Sequence, residues 1–467
     1  MRRGVVAGLV AVTLLSTPAT APAWAGEGFV TRSGSQLLLD GQPYRFAGLN
    51  IYNANSDGWC WYAMDDGSAL DEALAAIGPG KKVFRSWFFQ PLAIGGGARD
   101  WSAFDHTLDV AESHGKKVIA TLSDQWGECG DGGLNGFKTQ SWYEAGYEQV
   151  DPGMLASYRD WVAEVVTRYR DDPRIAFWQL MNEAEVKPSE SDPCPGDGSD
   201  QAQVLGHWAA DVAGLVKSID PNHLVSLGTI GSGQCGASGD QYEDLHAIPE
   251  IDLCEYHDYG SPAVPIPGDE WNGLQVRLEQ CTALGKPLFV GEAGIVPDDL
   301  DGTLLARADA FAAKLQAQLA AGVAGFLAWA WSNLGSTTDT YDIGPGDPTL
   351  EALALFDQGD PPVVVEPKSA KSLGLKARKR AVPRGRKAKL RAVVGPCPAT
   401  SGEQVELQRR KPAAWVTIGS AIAALACTAL FKVKVKRAIV VRAFSPEDPD
   451  HLAATSDQVK IKVRKGG

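Results

Sequence analysis

Two glutamates far apart in the chain each close a short apolar run: Glu183 in IAFWQLMNEAE (175–185) and Glu292 in KPLFVGEAG (286–294). Burying a carboxylate at the end of a strand-like stretch costs on the order of several kcal/mol unless the group has partners or a task. An arginine partner would make either one structural. Taken as a pair, with aromatic residues around each, they point to glycosidic-bond chemistry, in which one carboxyl carries a proton and the other attacks or activates water.

Such a pair works only if other elements bring it together. Between 44 and 331 eight apolar, β-branched or aromatic runs recur: 44–53, 82–89, 117–124, 175–183, 223–229, 251–259, 287–294 and 322–331. The segments between them carry helical spacing, clearest at 101–114, 154–169 and 303–321. Alternating strand and helix with this count predicts an α/β fold, a (β/α)8 TIM barrel, rather than an open doubly wound sheet. A phosphate-binding glycine loop is missing: Gly95-Gly96-Gly97 and Gly231-Ser232-Gly233 lack the Lys-Ser/Thr or G-x-G-x-x-G context and read as turns.

In such a barrel, polar residues at the carboxyl ends of strands converge on one mouth. Each run puts its polar residues late: Arg85, Asp124, Asn182 with Glu183, His257 with Tyr259, Glu292 and finally Trp331. Residues two apart share a face, so His257 goes with Tyr259 and Arg85 with Trp87. Asn182 and Glu183 are adjacent and cannot both point inward on a regular strand. The chain must bend or bulge there.

These residues resemble glycoside hydrolase family 5 over roughly 28–335, chiefly through Asn182-Glu183, His257-x-Tyr259 and Gly291-Glu292. The resemblance implies Glu183 as acid/base and Glu292 as nucleophile. It also implies Asn182 as partner of the sugar 2-hydroxyl, Arg85 and Tyr259 as groups orienting Glu292, and Trp331 as the stacking platform. His257 and Trp126 complete the expected substrate-binding set. The entry 29–53 and the segment LSDQWGECGDGG (122–133) look like the β-mannanase branch, although Ala184-Glu185 stands where that branch usually has Pro-Arg. Charge and hydrogen bonding from Arg85 and Tyr259 should keep Glu292 ionised, and Glu183, beside Trp178 and near Glu292, should be raised to hold the acid proton.

The ends of the chain carry different signals. Met1-Arg2-Arg3, an apolar stretch and Ala23-Trp24-Ala25 read as a signal peptide over 1–25, which predicts a secreted, extracellular protein. The barrel is expected over 26–357, a proline-punctuated linker over 358–367 and a basic immunoglobulin-like β-sandwich over 368–467, where strand-like alternation takes over. From 361 to 467, 23 Lys and Arg face 7 Asp and Glu, a net of +16, which leaves −29 for the first 360 residues of a chain at −13. A surface so basic fits contact with an anionic cell wall or simply a solvated face. Eight cysteines in a secreted chain read as disulfides. Bridges confined to domains would pair Cys397 with Cys427. The other six leave the connectivity open, with neighbour order favouring Cys60–Cys129, Cys194–Cys235 and Cys254–Cys281.

No metal or other cofactor is implied, since the seven histidines are scattered without an H-E-x-x-H frame. The expected partner is a polysaccharide or oligosaccharide; nucleic acid and a membrane span are not expected, and the protein is expected to be a monomer. The reading is a retaining hydrolase of β-1,4-linked glycan, foremost an endo-β-mannanase. Its rivals are an exo-acting β-glycosidase or cellulase of the same family, and a non-catalytic sugar-binding or wall-anchoring protein. Of 14 tryptophans all but Trp24 and Trp415 fall in the barrel region, which suits a chain polysaccharide.

Overall fold

The computed structural model describes residues 28–56, 60, 68–80, 82–131, 136–354, 369–395, 404–411, 414–423, 427–446, 451–452 and 454–464. The expected signal peptide and linker, together with Trp59, Trp61 and Cys397, lie outside them. The chain divides into two compact units, Met1–Pro361 and Pro362–Gly467.

In the first unit each of the eight runs yields one strand: β1 Phe46–Asn50, β2 Val83–Trp87, β3 Lys117–Thr121, β4 Ile175–Gln179, β5 Leu224–Ser226, β6 Cys254–Asp258, β7 Leu288–Ala293 and β8 Gly325–Ala328. They pair in parallel in circular order, and a parallel bridge between Ser226 and Leu253 joins β5 to β6 and closes the ring. The fold is a (β/α)8 barrel. The strands are buried on both faces, which is why they read as near-continuous apolar runs.

Helices start where local chemistry allows. The segment expected over 154–169 is helical only over Tyr158–Tyr169, because Ser157 accepts the Asp160 backbone N–H and caps it. Thr303 does the same for Leu304–Ala321 through the N–H of Ala306. Trp161, Val162, Val165, Val166 and Tyr169 form the buried stripe of the first of these helices.

Inside the barrel, period-two alternation stacks the side chains in layers. The floor is apolar: Phe46, Phe177 and Phe289 pack with ring centroids 5.1–6.3 Å apart beside Val83, Ile119 and Leu253. Gly325 is required here, since a Cβ would stand 2.1 Å from the Phe46 ring. A three-stranded antiparallel sheet of Val30–Ser33, Gln36–Leu39 and Gln42–Tyr44 contributes Val30, Leu37, Leu39 and Tyr44 to the same cluster. Two residues beyond Val83, Ile119, Phe177 and Leu253 the interior turns polar, with Arg85, Thr121, Gln179 and Glu255. The disulfides are the three that neighbour order favours, Cys60–Cys129, Cys194–Cys235 and Cys254–Cys281. The first two tie together loops at the carboxyl end of the barrel.

The second unit is a β-sandwich. Ser372–Ala377, Lys387–Gly395 and Thr428–Lys434 form one antiparallel sheet, and Gln404–Arg410, Trp415–Ile422, Ile439–Ser445, Val459–Arg464 and Ala381–Pro383 the other. Leu375, Leu390, Ala392 and Phe431 share a core with Val405, Leu407, Val441, Ala443 and Ile461. Cys427 is disulfide-bonded.

Candidate active site

Both glutamates reach the mouth of the barrel. Glu183 lies four residues past β4 at φ 59°, a left-handed backbone that a glutamate adopts only when its surroundings hold it there. That single residue supplies the required bend: Asn182, bridged to Asp124, stays in line with the strands while Glu183 turns into the cleft. Glu292 sits within β7, where the pairing registers with β6 and β8 shift.

Oxygens of Glu183 and Glu292 and a nitrogen of His257 lie within 4.8 Å of one another. Glu292 accepts from Arg85 Nη1 at 2.8 Å and from the Tyr259 hydroxyl at 2.6 Å. Glu183 accepts from His257 Nδ1 and Trp126 Nε1, each at 2.7 Å. Arg85 is fully buried and also donates to Asn182 Oδ1 at 2.6 Å, Asn50 Oδ1 at 2.9 Å and Gln179 Oε1 at 2.7 Å. Asn182 donates in turn to Asp124, whose carboxyl burial pushes up to about 7 against the hydrogen bonds from Asn182 and the Glu128 N–H.

Arg85, Asn182, His257, Tyr259 and Trp126 therefore meet around the two carboxyls. Several stand differently from expectation. His257 is buried, and both of its ring nitrogens face carboxylates, Glu183 and, at 3.2 Å, Glu255. It holds protein groups rather than lining the cleft. Trp331 is only 2% exposed and belongs to the core, so it is not an open platform. Two residues earlier, half-buried Trp329 stacks on Tyr52 at 5.1 Å and leans on Trp87, which the Arg85 guanidinium covers at 4.5 Å. Trp178 points away from Glu183 and donates to Asp220 at 2.8 Å.

The proton does not rest where the sequence places it. Burial alone would raise Glu183, yet the hydrogen bond and charge of His257, with the Trp126 bond, hold it below the usual carboxylate range. Burial raises Glu292 and outweighs the opposing charges of His257 and Arg85. For His257, burial opposes the proton, but the Glu292 charge and the bonds to Glu183 and Glu255 win and push it up to about 10. In the free site the imidazole therefore carries the proton, 2.7 Å from Glu183.

Sequence reasoning missed Glu255, Gln179, Asn50 and Trp329. Counting back by two from His257 reaches Glu255, and counting on by two from floor residue Phe177 reaches Gln179. Strand periodicity therefore carried both.

A closed (β/α)8 barrel that brings two carboxyls together at its carboxyl end is an arrangement suited to glycosidic-bond chemistry. The model for GH family 5 β-mannosidase-like proteins matches residues 137–261, which span Asn182, Glu183, His257 and Tyr259. Over 310 residues the chain is 30% identical to a probable mannan endo-1,4-β-mannosidase F of Aspergillus flavus, covering 57% of this chain and 60% of that protein. It is 28% identical to a probable mannan endo-1,4-β-mannosidase C of Aspergillus terreus, over 50% of this chain and 64% of the relative. A mannan endo-1,4-β-mannosidase F of Aspergillus fumigatus matches at 28% identity, over 59% of this chain and 66% of its own length. The chain thus spans somewhat less than two thirds of the relatives' length. The barrel unit is similar to glycoside hydrolase family 5, on the mannanase side of that family.

Proposed function

We propose that the barrel unit is a secreted, retaining β-glycosidase acting on β-1,4-linked mannan, foremost as an endo-β-mannanase, with Glu183 as acid/base and Glu292 as nucleophile. The observation that carries this reading is the separation of the two carboxyls, an oxygen of each lying within 4.8 Å of the other. Retaining enzymes hold their carboxyls about 5–5.5 Å apart, whereas inverting enzymes need roughly 6.5–9.5 Å to admit water between them. Secretion is supported by the disulfides and by the absence, among the described residues, of a helix long and apolar enough to cross a membrane.

In the first step Glu292 Oε attacks the anomeric carbon, the glycosidic C–O bond breaks, and Glu183 delivers a proton to the leaving oxygen. His257 Nδ1 is in hydrogen-bond contact with Glu183 and can reload it. As the ester forms, Glu292 loses its negative charge and with it one of the groups that keep His257 protonated, which drives the proton toward Glu183 when the leaving group needs it. In the second step water gives its proton to Glu183 and its hydroxyl to the anomeric carbon, freeing Glu292. Trp329, with Tyr52 and Trp87 behind it, takes the part of the sugar platform in this reading.

The second unit reads as an adhesion module for anionic polymer. Cross-strand pairs Lys376–Arg391, Lys387–Lys434 and Lys389–Lys432 set six exposed cations on one sheet face. Like charges placed opposite one another cost stability, which an anionic chain would relieve. Stacking on neutral sugar has less support, because the face of Trp415 is taken by the Arg442 guanidinium at 4.4 Å.

The test is a panel of mannan, glucomannan, carboxymethyl-cellulose and xylan, with wild type beside Glu292→Ala and Glu183→Ala. Losing the nucleophile should lower turnover by several orders of magnitude; losing the acid/base should hurt least on substrates with good leaving groups. Proton NMR of the first-formed anomer should show retention. Equal activity of all three proteins, or an inverted product, would end the assignment.

A further inference from the structure

Beneath the two carboxyls lies a third that the mechanism above does not use. Glu255 points from β6 into the barrel and is fully buried. Its oxygens accept from Gln179 Nε2 at 2.6 and 2.5 Å, from the Ser226 hydroxyl at 2.9 Å and from His257 Nε2 at 3.2 Å. Room for it is built in: a Cβ on Gly291, the residue before Glu292, would stand 2.0 Å from Glu255 Oε1. A carboxylate with no water around it is costly unless it is fully bonded and has a cationic neighbour. The cation at hand is His257.

Glu255 is also the node of two arms. One runs through His257 to Glu183. The other runs through Gln179, whose Oε1 accepts from Arg85 Nε, to the guanidinium that holds Glu292 and Asn182. We propose that Glu255 is a positioning residue of the glycosidase reaction: from inside the barrel its carboxylate keeps the His257 ring oriented and returns it to the doubly protonated form before each turnover, so that Nδ1 presents a proton to Glu183 in the free site. This inference rests on the reading of Glu183 and Glu292 given above.

The charged groups facing His257 come from three strands: Glu255 on its own β6, Glu183 beyond β4 and Glu292 on β7, with Arg85 of β2 behind Glu292. Of the three carboxylates, Glu183 must change protonation during turnover and Glu292 must lose its charge to the sugar. Glu255 touches no reacting atom and so supplies the negative charge that persists through the cycle. Removing it weakens the ring's hold on its proton in the free site, and Glu183 then begins the cycle beside a neutral imidazole.

The experiment uses the full-length protein with 15N-labelled histidine, wild type and Glu255→Gln. In the wild type, NMR should show His257 with protons on both ring nitrogens at pH 8; a neutral ring there overturns the proposal without any variant, which covers the case in which Glu255→Gln fails to fold. In the folded variant the ring should titrate at a midpoint lower by about one pH unit or more. The variant's kcat should fall by about tenfold or more with little change in KM, and the high-pH limb of kcat/KM should move downward, because the proton shared by His257 and Glu183 is lost at lower pH without the Glu255 charge. An unmoved ring titration, or an unmoved limb with activity lost only in proportion to folded protein, overturns the positioning role. The two readings separate cleanly: a wild-type chain inert on every glycan removes the glycosidase reading and with it the catalytic half of this inference, whereas the ring titration reads the Glu255–His257 pair without substrate.

Discussion

Arg85→Met is the sharpest perturbation of the site. The guanidinium is fully buried, 2.8 Å from a Glu292 oxygen that is itself nearly sealed. Two unit charges 4 Å apart at an effective dielectric of 20 attract by about 4 kcal/mol, so this closer pair lies at or above that scale. Burial already raises Glu292 and Arg85 opposes that rise, so the substitution moves it further up. A nucleophile must be ionised. The low-pH limb of kcat/KM should therefore move to higher pH by about one unit or more, with activity most depressed under acid conditions. Stability should fall as well, by about 3–5 kcal/mol, because the change leaves Glu292 a buried carboxylate without its cation and takes the donor from Asn182 Oδ1 and Asn50 Oδ1. The assay is a pH profile on a soluble β-mannoside beside a denaturant titration, with Arg85→Lys as comparison, since an ammonium cannot serve four acceptors in a plane. A folded Arg85→Met protein with the wild-type acid limb would refute the electrostatic reasoning.

Three further outcomes are expected. His257 binds its proton more tightly folded, at about 10, than unfolded, at 6.5, so its contribution to stability is complete below about 6.5 and is lost as pH rises toward 10; denaturant midpoints across that range should fall in wild type and flatten in His257→Gln, and a flat wild-type profile counts against the assignment. Trp329→Ala should weaken use of mannan oligomers by about tenfold in kcat/KM, as expected for an aromatic face worth about 1.4 kcal/mol, while Trp331→Ala should act mainly on stability because that ring is buried. Adhesion of the full chain to an insoluble anionic polysaccharide should weaken steeply between low and physiological salt and be lost in a Lys389→Glu/Lys432→Glu variant; salt-independent adhesion would instead point to stacking.

Much of the barrel could be read from residue order alone. Strands buried on both faces must be apolar along their length, and that requirement left eight legible runs whose helical spacers could be counted. The position of a polar residue late in a run then indicated the mouth. The three barrel disulfides followed neighbour order because each joins loops or elements that are close in the ring.

What the sequence left open depends on contacts between strands. The bend at Glu183 was required by Asn182 being adjacent, but only the folded backbone assigns it to one left-handed residue. Which tryptophan faces the cleft turns on the path of the chain after β8, which sends Trp331 into the core and leaves Trp329 half-exposed. The location of the acid proton was misread for the same reason. Residue types name a carboxylate and an imidazole, but protonation is decided by burial and by which charges lie within about 4–6 Å. Those distances join β2, β4, β6 and β7, strands that meet only because the ring closes.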